Sequence, residues 1–285
     1  ALAAYLARFC GYCLCGSAQE HVFAFFHGLG ANGKSVFLQA VSQVLGTYAA
    51  AAPLGTFMAS RNEAHPTDLA GLVGKRLVTV SETEAGRAWA ETRIKTITGG
   101  DPIRARFMNR DFFEFMPTFK LAVAGNHRPR LTGVGEAMRR RMHLIPFTVT
   151  IPPERRNKRL LEDLLEERDG ILAWMIAGHS DWRAEGLAPP AVVLQSAEEY
   201  FDDEDMVSQW IDACCIEGPE HRATSSDLFQ SWRQWSENAG IESGSQKSLG
   251  DALRERGFVS GKVARVRGWN GLAVRRSARD HGSAE

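Results

Sequence analysis

The sequence lacks any run of about 20 apolar residues, the length that a membrane-spanning helix requires. Its apolar opening has no basic leading segment, so it does not match a secretory signal. The formal net charge is zero, so overall charge points to no class of partner. Internal repeats and low-complexity linkers are also missing, which excludes repeat architectures. We expect a soluble globular protein without membrane contact.

Cysteine is scarce and clustered, at Cys10, Cys13, Cys15, Cys214 and Cys215. An odd number of neighbouring thiols does not form a secreted disulfide framework. The first two have zinc-site spacing, but no second Cys or His pair follows at the required distance. We therefore expect free thiols in a reducing cytosol.

Charge is sorted along the chain although it sums to zero. Six acidic residues and no basic one lie between Glu198 and Asp205, whereas eight basic residues and one acidic one lie between Arg254 and Arg279. The 285 residues suggest about two domains, and a start at Ala1 suggests a piece of a longer protein. The basic segment is typical of a surface that binds nucleic acid.

Short apolar runs alternate with helical patterns in the first half. Strands are predicted for "HVFAFF", "RLVTVSE", "FKLAVAGN" and a run that ends at Pro146, with helices between them. This alternation predicts an α/β fold with a parallel sheet. "PIRARFMNRDFFEFMP" predicts a hairpin with a polar tip.

Three parts are predicted: an α/β core at 1–150, a helical region at 151–215 and a module at 216–285. In the last part, two helices precede two strands that we expect "GWNG" to join. Helix, helix, hairpin is the order of a winged-helix module. Its duplex contact would use Arg265 and Arg267; a solvated basic face for docking protein is the alternative.

"GLGANGKS" matches the phosphate-loop pattern and sits between a predicted strand and a predicted helix. Glycines let backbone N–H groups approach phosphate oxygens, the lysine supplies charge, and the final hydroxyl binds Mg²⁺. The positive end of the following helix points at the same place. The expected nucleotide-binding residues are Gly28, Gly30, Ala31, Asn32, Gly33, Lys34 and Ser35.

Polar residues follow two later strands. Glu82 and Glu84 are expected to bind Mg²⁺ through water and to activate the attacking water, and Asn126 to orient that water. Solvated carboxylates and a turn-forming Asn are the alternatives. The chain reads Asn-His-Arg-Pro at 126–129 where a guanine reader would have Asn-Lys-x-Asp. Guanine selection is not supported.

Arginines supply two further candidate sites. A short helix carries Arg139, Arg140 and Arg141, and one of these could reach the γ-phosphate held by a neighbouring subunit. The alternative is an exposed basic helix end. In the hairpin, Arg104, Arg106 and Arg110 could form a soluble rim, and a functional role would need backbone-directed cations together with nearby aromatic rings.

Five segments together resemble superfamily 3 helicases: "GLGANGKS", "DLAGLVGKRLVTVSETE", "TGGDPIRARF", "FKLAVAGNHRPRL" and "RRRMHLIPF". The likeness is closest to the helicase portion of phage and plasmid primase-helicases, a group that includes the poxvirus type. It covers Gly11 to Phe147 well. The sequence departs from the family pattern at Ser81-Glu82, where many members have two adjacent acids.

The resemblance implies an AAA+-like hexamer that uses ATP and Mg²⁺ to translocate on single-stranded DNA and unwind forks. It implies motif A at the phosphate loop, motif B at Glu82 or Glu84, a sensor at Asn126 and a trans-acting finger at Arg140 or Arg141. It also implies a hairpin, around Arg106, Asn109 and Arg110, that reaches into the central channel and grips the DNA backbone, and a primase domain upstream. Two rival predictions are a winged-helix DNA binder switched by ATP and a monomeric small-molecule kinase.

Overall fold

The computed structural model describes residues 1–60, 66–81, 87–131 and 135–275. The chain divides into two compact units, Ala1–Glu204 and Asp205–Glu285, here called the core unit and the C-terminal unit. Glu82 and Glu84 lie outside the described residues. The predicted three-part division stays a prediction.

The core unit is an α/β structure. Its helices are α1 (Leu2–Tyr12), α2 (Lys34–Leu45), α3 (Pro66–Ala70), α4 (Glu91–Gly99), α5 (Glu136–Arg139), α6 (Leu160–Glu166), α7 (Arg168–Glu185) and α8 (Ala191–Glu204). Its strands are β1 (Phe23–His27), β2 (Ala49–Ala51), β3 (Leu77–Ser81), β4 (Ile103–Ala105), β5 (Phe113–Phe115), β6 (Lys120–Gly125) and β7 (Met142–Pro146).

Five of these strands form one parallel sheet in the order β2-β3-β6-β1-β7. Strand β1 lies inside the sheet, with Phe25 opposite Val123 of β6 and Leu144 of β7. All β1 residues except His27 are buried, as expected for a parallel strand covered on both faces. The predicted parallel α/β core is confirmed.

Side chains of β1 alternate between two apolar layers. Phe23 and Phe25 pack in a cluster with Trp89, Ile94 and side chains of α8, whereas Ala24 and Phe26 pack in a second cluster with α1, α2 and α7. In β3, β6 and β7 as well, neighbouring side chains point to opposite faces of the sheet and join one cluster or the other. Helices therefore cover both faces of the sheet. This packing on both faces of the sheet fixes the positions of the strand ends.

Strand β2 was not among the predicted strands. It consists of three alanines at the edge of the sheet, beside Leu77 and Val78 of β3. Alanine has low strand propensity, and three residues are too few to show a period. The predicted hairpin is present: β4 and β5 pair antiparallel, with Arg104 opposite Glu114.

The C-terminal unit contains α9 (Met206–Cys214), β8 (Cys215–Thr224), α10 (Ser225–Ala239), α11 (Gln246–Glu255), β9 (Val259–Val263) and β10 (Val266–Val274). Its strands form an antiparallel sheet in the order β8-β10-β9. The helices pack on this sheet around Trp210, Trp232 and Trp269.

The prediction that "GWNG" joins two strands is wrong. Ala264 and Arg265, both with positive φ, form the turn between β9 and β10, and Gly268 to Gly271 lie within β10. Trp269 is buried in the core of the unit because β10 turns it inward. The Trp269 ring therefore contributes to packing in the core of the C-terminal unit.

No helix among the described residues is long and apolar enough to span a membrane. The free thiols Cys10, Cys13 and Cys215 are buried and no disulfide links them. Burial raises the pKa of Cys13 to about 12, which keeps that thiol protonated.

We predict that acid destabilises the core unit through His143. Its Nδ1 lies 2.8 Å from the Tyr5 hydroxyl, and burial lowers its pKa from 6.5 to about 4. Between these values the unfolded chain binds a proton that the native state does not bind. The free energy of unfolding therefore falls as pH drops through this window, by up to about 3 kcal/mol.

Denaturant titrations from pH 7 to pH 4 test this, with His143→Gln as the variant that cannot titrate. The parent should lose more stability than the variant over this window. Equal losses would contradict the pKa assignment.

Candidate active site

The cavity of interest opens at the carboxyl edge of the parallel sheet. The connection after β1 leads to β2 on one side, and the connection after β6 leads to β7 on the other. Adjacent strands whose connections diverge leave a crevice that binds ligands in α/β folds. A cavity of about 630 Å³ lies here and is lined by the loop before α2, the first turns of α2, Ser81 and residues 124–127.

The loop after β1 folds so that backbone lines this cavity. Gly30, Ala31 and Gly33 all have positive φ, at 104°, 49° and 89°. A side chain at Gly28 would meet the carbonyl oxygen of Phe147 at 2.2 Å, so only glycine fits there. Positive φ at Ala31 is uncommon for a residue with a side chain and marks a loop held by its surroundings.

Asn32 links this loop to the segment after β7. Its Nδ2 donates to the carbonyl oxygen of Phe147 at 3.0 Å, and the Ile151 N–H donates to the carbonyl oxygen of Ala31 at 2.7 Å. The sequence motif identifies Asn32 as a loop residue but gives no sign of this attachment. The segment after β7 therefore holds this loop at two neighbouring residues.

Lys34 is the buried cation of the cavity. It begins α2, with Gly33 as the preceding cap, and is 4% exposed. Its Nζ donates to the carbonyl oxygen of Gly28 at 2.7 Å and to the side-chain oxygens of Asn32 and Asn126 at 3.1 Å each. Burial lowers its pKa. A buried ammonium in a polar loop attracts an anion, and the helix N-terminus adds to that attraction.

Three predicted site residues therefore meet in space. Lys34 and Asn126, 92 residues apart, are joined directly, and Ser35 is exposed on the cavity wall. Within the described ranges, no group of three His, Cys, Asp or Glu side chains could hold a metal ion. Ser81, which precedes Glu82, lines the cavity, but both predicted carboxylates lie outside the described residues. The roles of Glu82 and Glu84 stay predictions.

His27 was not predicted as a site residue. It ends β1, directly before the loop, and is half-buried. Burial lowers its pKa, the cation of Arg128 lowers it further, and a hydrogen bond with the Asn126 backbone acts in the opposite direction. A polar residue at the carboxyl end of a buried strand is the sequence signal that could have identified it.

The acidic run of α8 braces the segment after Asn126. Asp203 forms an ion pair with Arg128 at 3.1 Å, and a carboxylate oxygen of Glu204 accepts from the Leu131 N–H at 3.0 Å. The Tyr200 hydroxyl donates to the Pro129 carbonyl oxygen and accepts from the Trp89 indole N–H at 2.9 Å. These contacts fix the position of the loop that carries Asn126.

The three consecutive arginines have different surroundings. Arg139 pairs with Glu198 and Asp202 of α8, and its guanidinium lies over the Phe201 ring. Arg141 donates to the Thr98 hydroxyl at 3.1 Å and to the Ala137 carbonyl oxygen at 2.8 Å. Arg140 is exposed, and no described residue forms a hydrogen bond or ion pair with its guanidinium.

Arg140 and Arg141 lie at the edge of the sheet opposite the phosphate loop. The Arg141 carbonyl oxygen accepts from the N–H of Phe23, the first residue of β1, at 2.8 Å. The loop follows His27, four residues along the same strand. At about 3.3 Å per residue, roughly 13 Å of β1 separates them. Neither arginine reaches the cavity of its own chain.

The hairpin between β4 and β5 exposes aromatic and basic side chains together. Arg104 and Arg106 lie over the Phe112 ring at 4.4 and 4.8 Å, and Phe107 is 50% exposed. Arg106, Asn109 and Arg110 are all exposed, with Asn109 in the left-handed conformation at the turn. Such a surface suits a nucleic-acid strand, because rings stack on bases and cations meet phosphates.

Arg265 and Arg267 of the C-terminal unit are both exposed. Arg265 occupies the turn between β9 and β10, and Arg267 lies two residues into β10. Their positions are compatible with contact to a polyanion. Their contact with DNA stays a prediction.

Residues 26–141 match the model of a family described as "Family of unknown function (DUF5906)". The chain is 25% identical over 252 residues to "Putative helicase L207/L206" of Acanthamoeba polyphaga mimivirus, covering 81% of this chain and 26% of that protein. It is 24% identical over 281 residues to "Putative helicase 022R" of Frog virus 3 (isolate Goorha), covering 91% and 29%. The chain thus spans less than a third of either relative.

Among solved structures, the apo NrS-1 C terminal region (305-718) has a TM-score of 0.53 at 12% identity. The match covers 95% of this chain and 71% of that chain. At this identity the likeness shows a shared fold. It supports the α/β core with a parallel sheet described above.

We predict that Tyr200→Phe destabilises the core unit. The substitution removes a hydroxyl and leaves the Trp89 indole N–H and the Pro129 carbonyl oxygen buried without partners. Each buried polar group left unpaired costs about 1–3 kcal/mol. Chemical denaturation measures the loss.

The matched control is Tyr48→Phe, at a tyrosine that is 47% exposed. This change should stay within about 0.5 kcal/mol of the parent. If both variants have parental stability, α8 does not brace the loop as described.

Proposed function

We propose that this chain is the motor of an ATP-dependent DNA helicase. The observation that carries the proposal is the buried Lys34 ammonium, held by the phosphate loop in a cavity at the carboxyl edge of a parallel sheet. Similarity to two viral proteins named as helicases supports the same function. We place its work in DNA replication of a phage, plasmid or integrated mobile element, in the cytosol of a bacterial host, with a primase domain upstream.

ATP would bind with its phosphates on the loop 28–35. Lys34 would exchange its contacts with Asn32 and Asn126 for phosphate oxygens, which releases Asn126 to orient the attacking water. The exposed Ser35 hydroxyl on the cavity wall fits Mg²⁺, which prefers oxygen ligands, and Glu82 would complete the site. Bound Mg²⁺ neutralises developing charge on the phosphates. Glu82 or Glu84 would polarise the water.

The arginine that completes the site would come from a neighbouring copy in a ring, most simply a hexamer. Arg140 fits this role better than Arg141. Its guanidinium is exposed and has no partner among the described residues, whereas Arg141 is engaged with Thr98 and Ala137. Both lie at the edge away from their own phosphate loop, so a head-to-tail arrangement would bring the two edges together.

Single-stranded DNA would follow the hairpin. Arg106, Asn109 and Arg110 would contact the backbone, and the exposed faces of Phe107 and Phe112 would stack on bases. Nucleotide-dependent movement of this hairpin would carry the strand. The C-terminal unit would act as a winged-helix-like module on the duplex or fork, through Arg265 and Arg267.

A subunit-mixing experiment tests the shared site. Lys34→Met and Arg140→Gln proteins should each lack DNA-stimulated ATPase activity. Mixed in equal amounts, they should recover about a quarter of the parental rate. At about that fraction of randomly formed ring interfaces, the intact loop of an Arg140→Gln subunit meets the intact arginine of a Lys34→Met subunit. Steady-state phosphate release measures this recovery.

In the matched control, the double variant Lys34→Met/Arg140→Gln takes the place of Lys34→Met in the mixture. It supplies neither an intact loop nor an intact arginine. This mixture should stay inactive. Full activity of Arg140→Gln by itself, with a monomeric protein that DNA does not stimulate, would contradict the proposal and favour a self-contained kinase.

We predict that Phe112→Ala weakens binding of single-stranded DNA about tenfold, because a stacked base contributes about 1–3 kcal/mol. Loss of the ring also removes the surface under Arg104 and Arg106. Fluorescence anisotropy with an oligothymidine measures the affinity. Arg106→Gln and Arg110→Gln should each reduce the salt dependence of binding by about one counterion.

Met116→Ala provides the control, since Met116 is 57% exposed just after β5 but has no ring to stack. Its affinity should equal that of the parent. Parental affinity in Phe112→Ala as well would remove the hairpin from the DNA path.

A further inference from the structure

A second polar cavity lies wholly within the C-terminal unit. It encloses about 350 Å³ between the start of α10, one face of α11 and strand β10. Lys247, Arg254 and Arg267 line it, and none of the described residues in its wall is acidic. Its volume is at the lower end of the range for small-ligand sites.

A residue in the wall of this cavity carries a buried hydroxyl without a partner. Ser225, the first residue of the 15-residue helix α10, is 8% exposed, and its Oγ has no hydrogen-bond partner among the described residues. The preceding Thr224 caps the helix by accepting from the Asp227 N–H at 3.1 Å. Buried hydroxyl groups are normally paired, so an unpaired one beside a helix N-terminus points to a ligand.

The placement of charge supports an anionic ligand. Arg267 lies directly opposite Lys262 in the β9–β10 pair, an arrangement of like charges that destabilises a sheet. Arg254 pairs with Asp251 at the surface while its guanidinium lies 5.7 Å from the Trp269 ring. Trp269 is buried, and a Cβ added at Gly250 would lie 3.3 Å from its ring, so these two residues form a closely packed part of the wall.

We propose that this cavity binds one phosphate group of a nucleic acid. The Ser225 hydroxyl and the α10 N-terminus would donate to its oxygens, and Lys247, Arg254 and Arg267 would neutralise its charge. The inference deepens the proposed DNA contact of the C-terminal unit and rests on it. The phosphate could be a strand's 5′ terminus or an internal phosphodiester, since both present the same oxygens.

Ser225→Ala separates a ligand role from a packing role. Because the hydroxyl has no partner among the described residues, its removal should leave the thermal unfolding midpoint unchanged or higher. DNA affinity of the whole chain should fall about three- to tenfold. Arg267→Gln should weaken binding similarly and reduce the salt slope by about one. Arg233→Gln is the control, on the exposed side of α10 in an ion pair with Glu237.

Fluorescence anisotropy without ATP, on otherwise identical 5′-phosphorylated and 5′-hydroxyl forked DNAs, reports the source. A loss in the variants confined to phosphorylated DNA identifies the terminal phosphate, and an equal loss on both identifies a phosphodiester. Parental affinity in Ser225→Ala and Arg267→Gln overturns the proposal, as does a parent that binds neither DNA. Binding is measured without hydrolysis, so this result can be interpreted even if the chain proves not to be a helicase motor. If the variants keep both parental DNA affinity and DNA-stimulated ATPase activity, the pocket proposal alone is wrong.

Discussion

The structure of the candidate site depends on how a buried ammonium is satisfied. Lys34 is surrounded by the loop that precedes it, and its three N–H bonds are directed to oxygens of Gly28, Asn32 and Asn126. A charge taken out of water needs such partners, and it also gains from a polyanion that replaces them. Because Gly28 directly follows β1 and Asn126 directly follows β6, the same contacts link the ends of these two strands through Lys34.

The acidic run in α8 has a structural role that its charge alone does not indicate. Asp203 and Glu204 hold the segment after Asn126, while Glu198 and Asp202 hold Arg139. One helix thus braces the loop beside the phosphate loop and the helix that precedes Arg140. Since these elements lie at opposite edges of the sheet, α8 connects the cavity that contains Lys34 with the helix that precedes Arg140.

The sequence predicted the parts of the fold that repeat a strong local pattern. Continuous apolar runs identified β1, β3, β6 and β7, and the glycine-rich loop placed Lys34 and Ser35 at a strand-to-helix turn. Strand β2 was missed because its three alanines carry no such pattern and depend on pairing with β3. "GWNG" was misplaced because glycines suggested a turn, while the actual turn at Ala264 and Arg265 uses residues that rarely adopt positive φ.

The features of the candidate site that the sequence did not predict depend on contacts between residues that are distant along the chain. The attachment of Asn32 to Phe147, the position of His27 beside Arg128 and the brace from Tyr200 to Pro129 each join residues brought together only by the fold. The sequence assigned Lys34 and Asn126 to one nucleotide site but gave no sign of the direct hydrogen bond between them. The distinction between Arg140 and Arg141 required their individual surroundings.

Calorimetry of Mg²⁺-ATP binding to the parent and to Lys34→Met tests whether Lys34 binds the phosphates of ATP. We expect one ATP per parent chain and a loss of affinity of about 100-fold or more in the variant, since charge-assisted contacts to phosphate disappear. Lys158→Met, at an exposed lysine outside the cavity, should bind like the parent. Parental affinity in Lys34→Met would contradict the account.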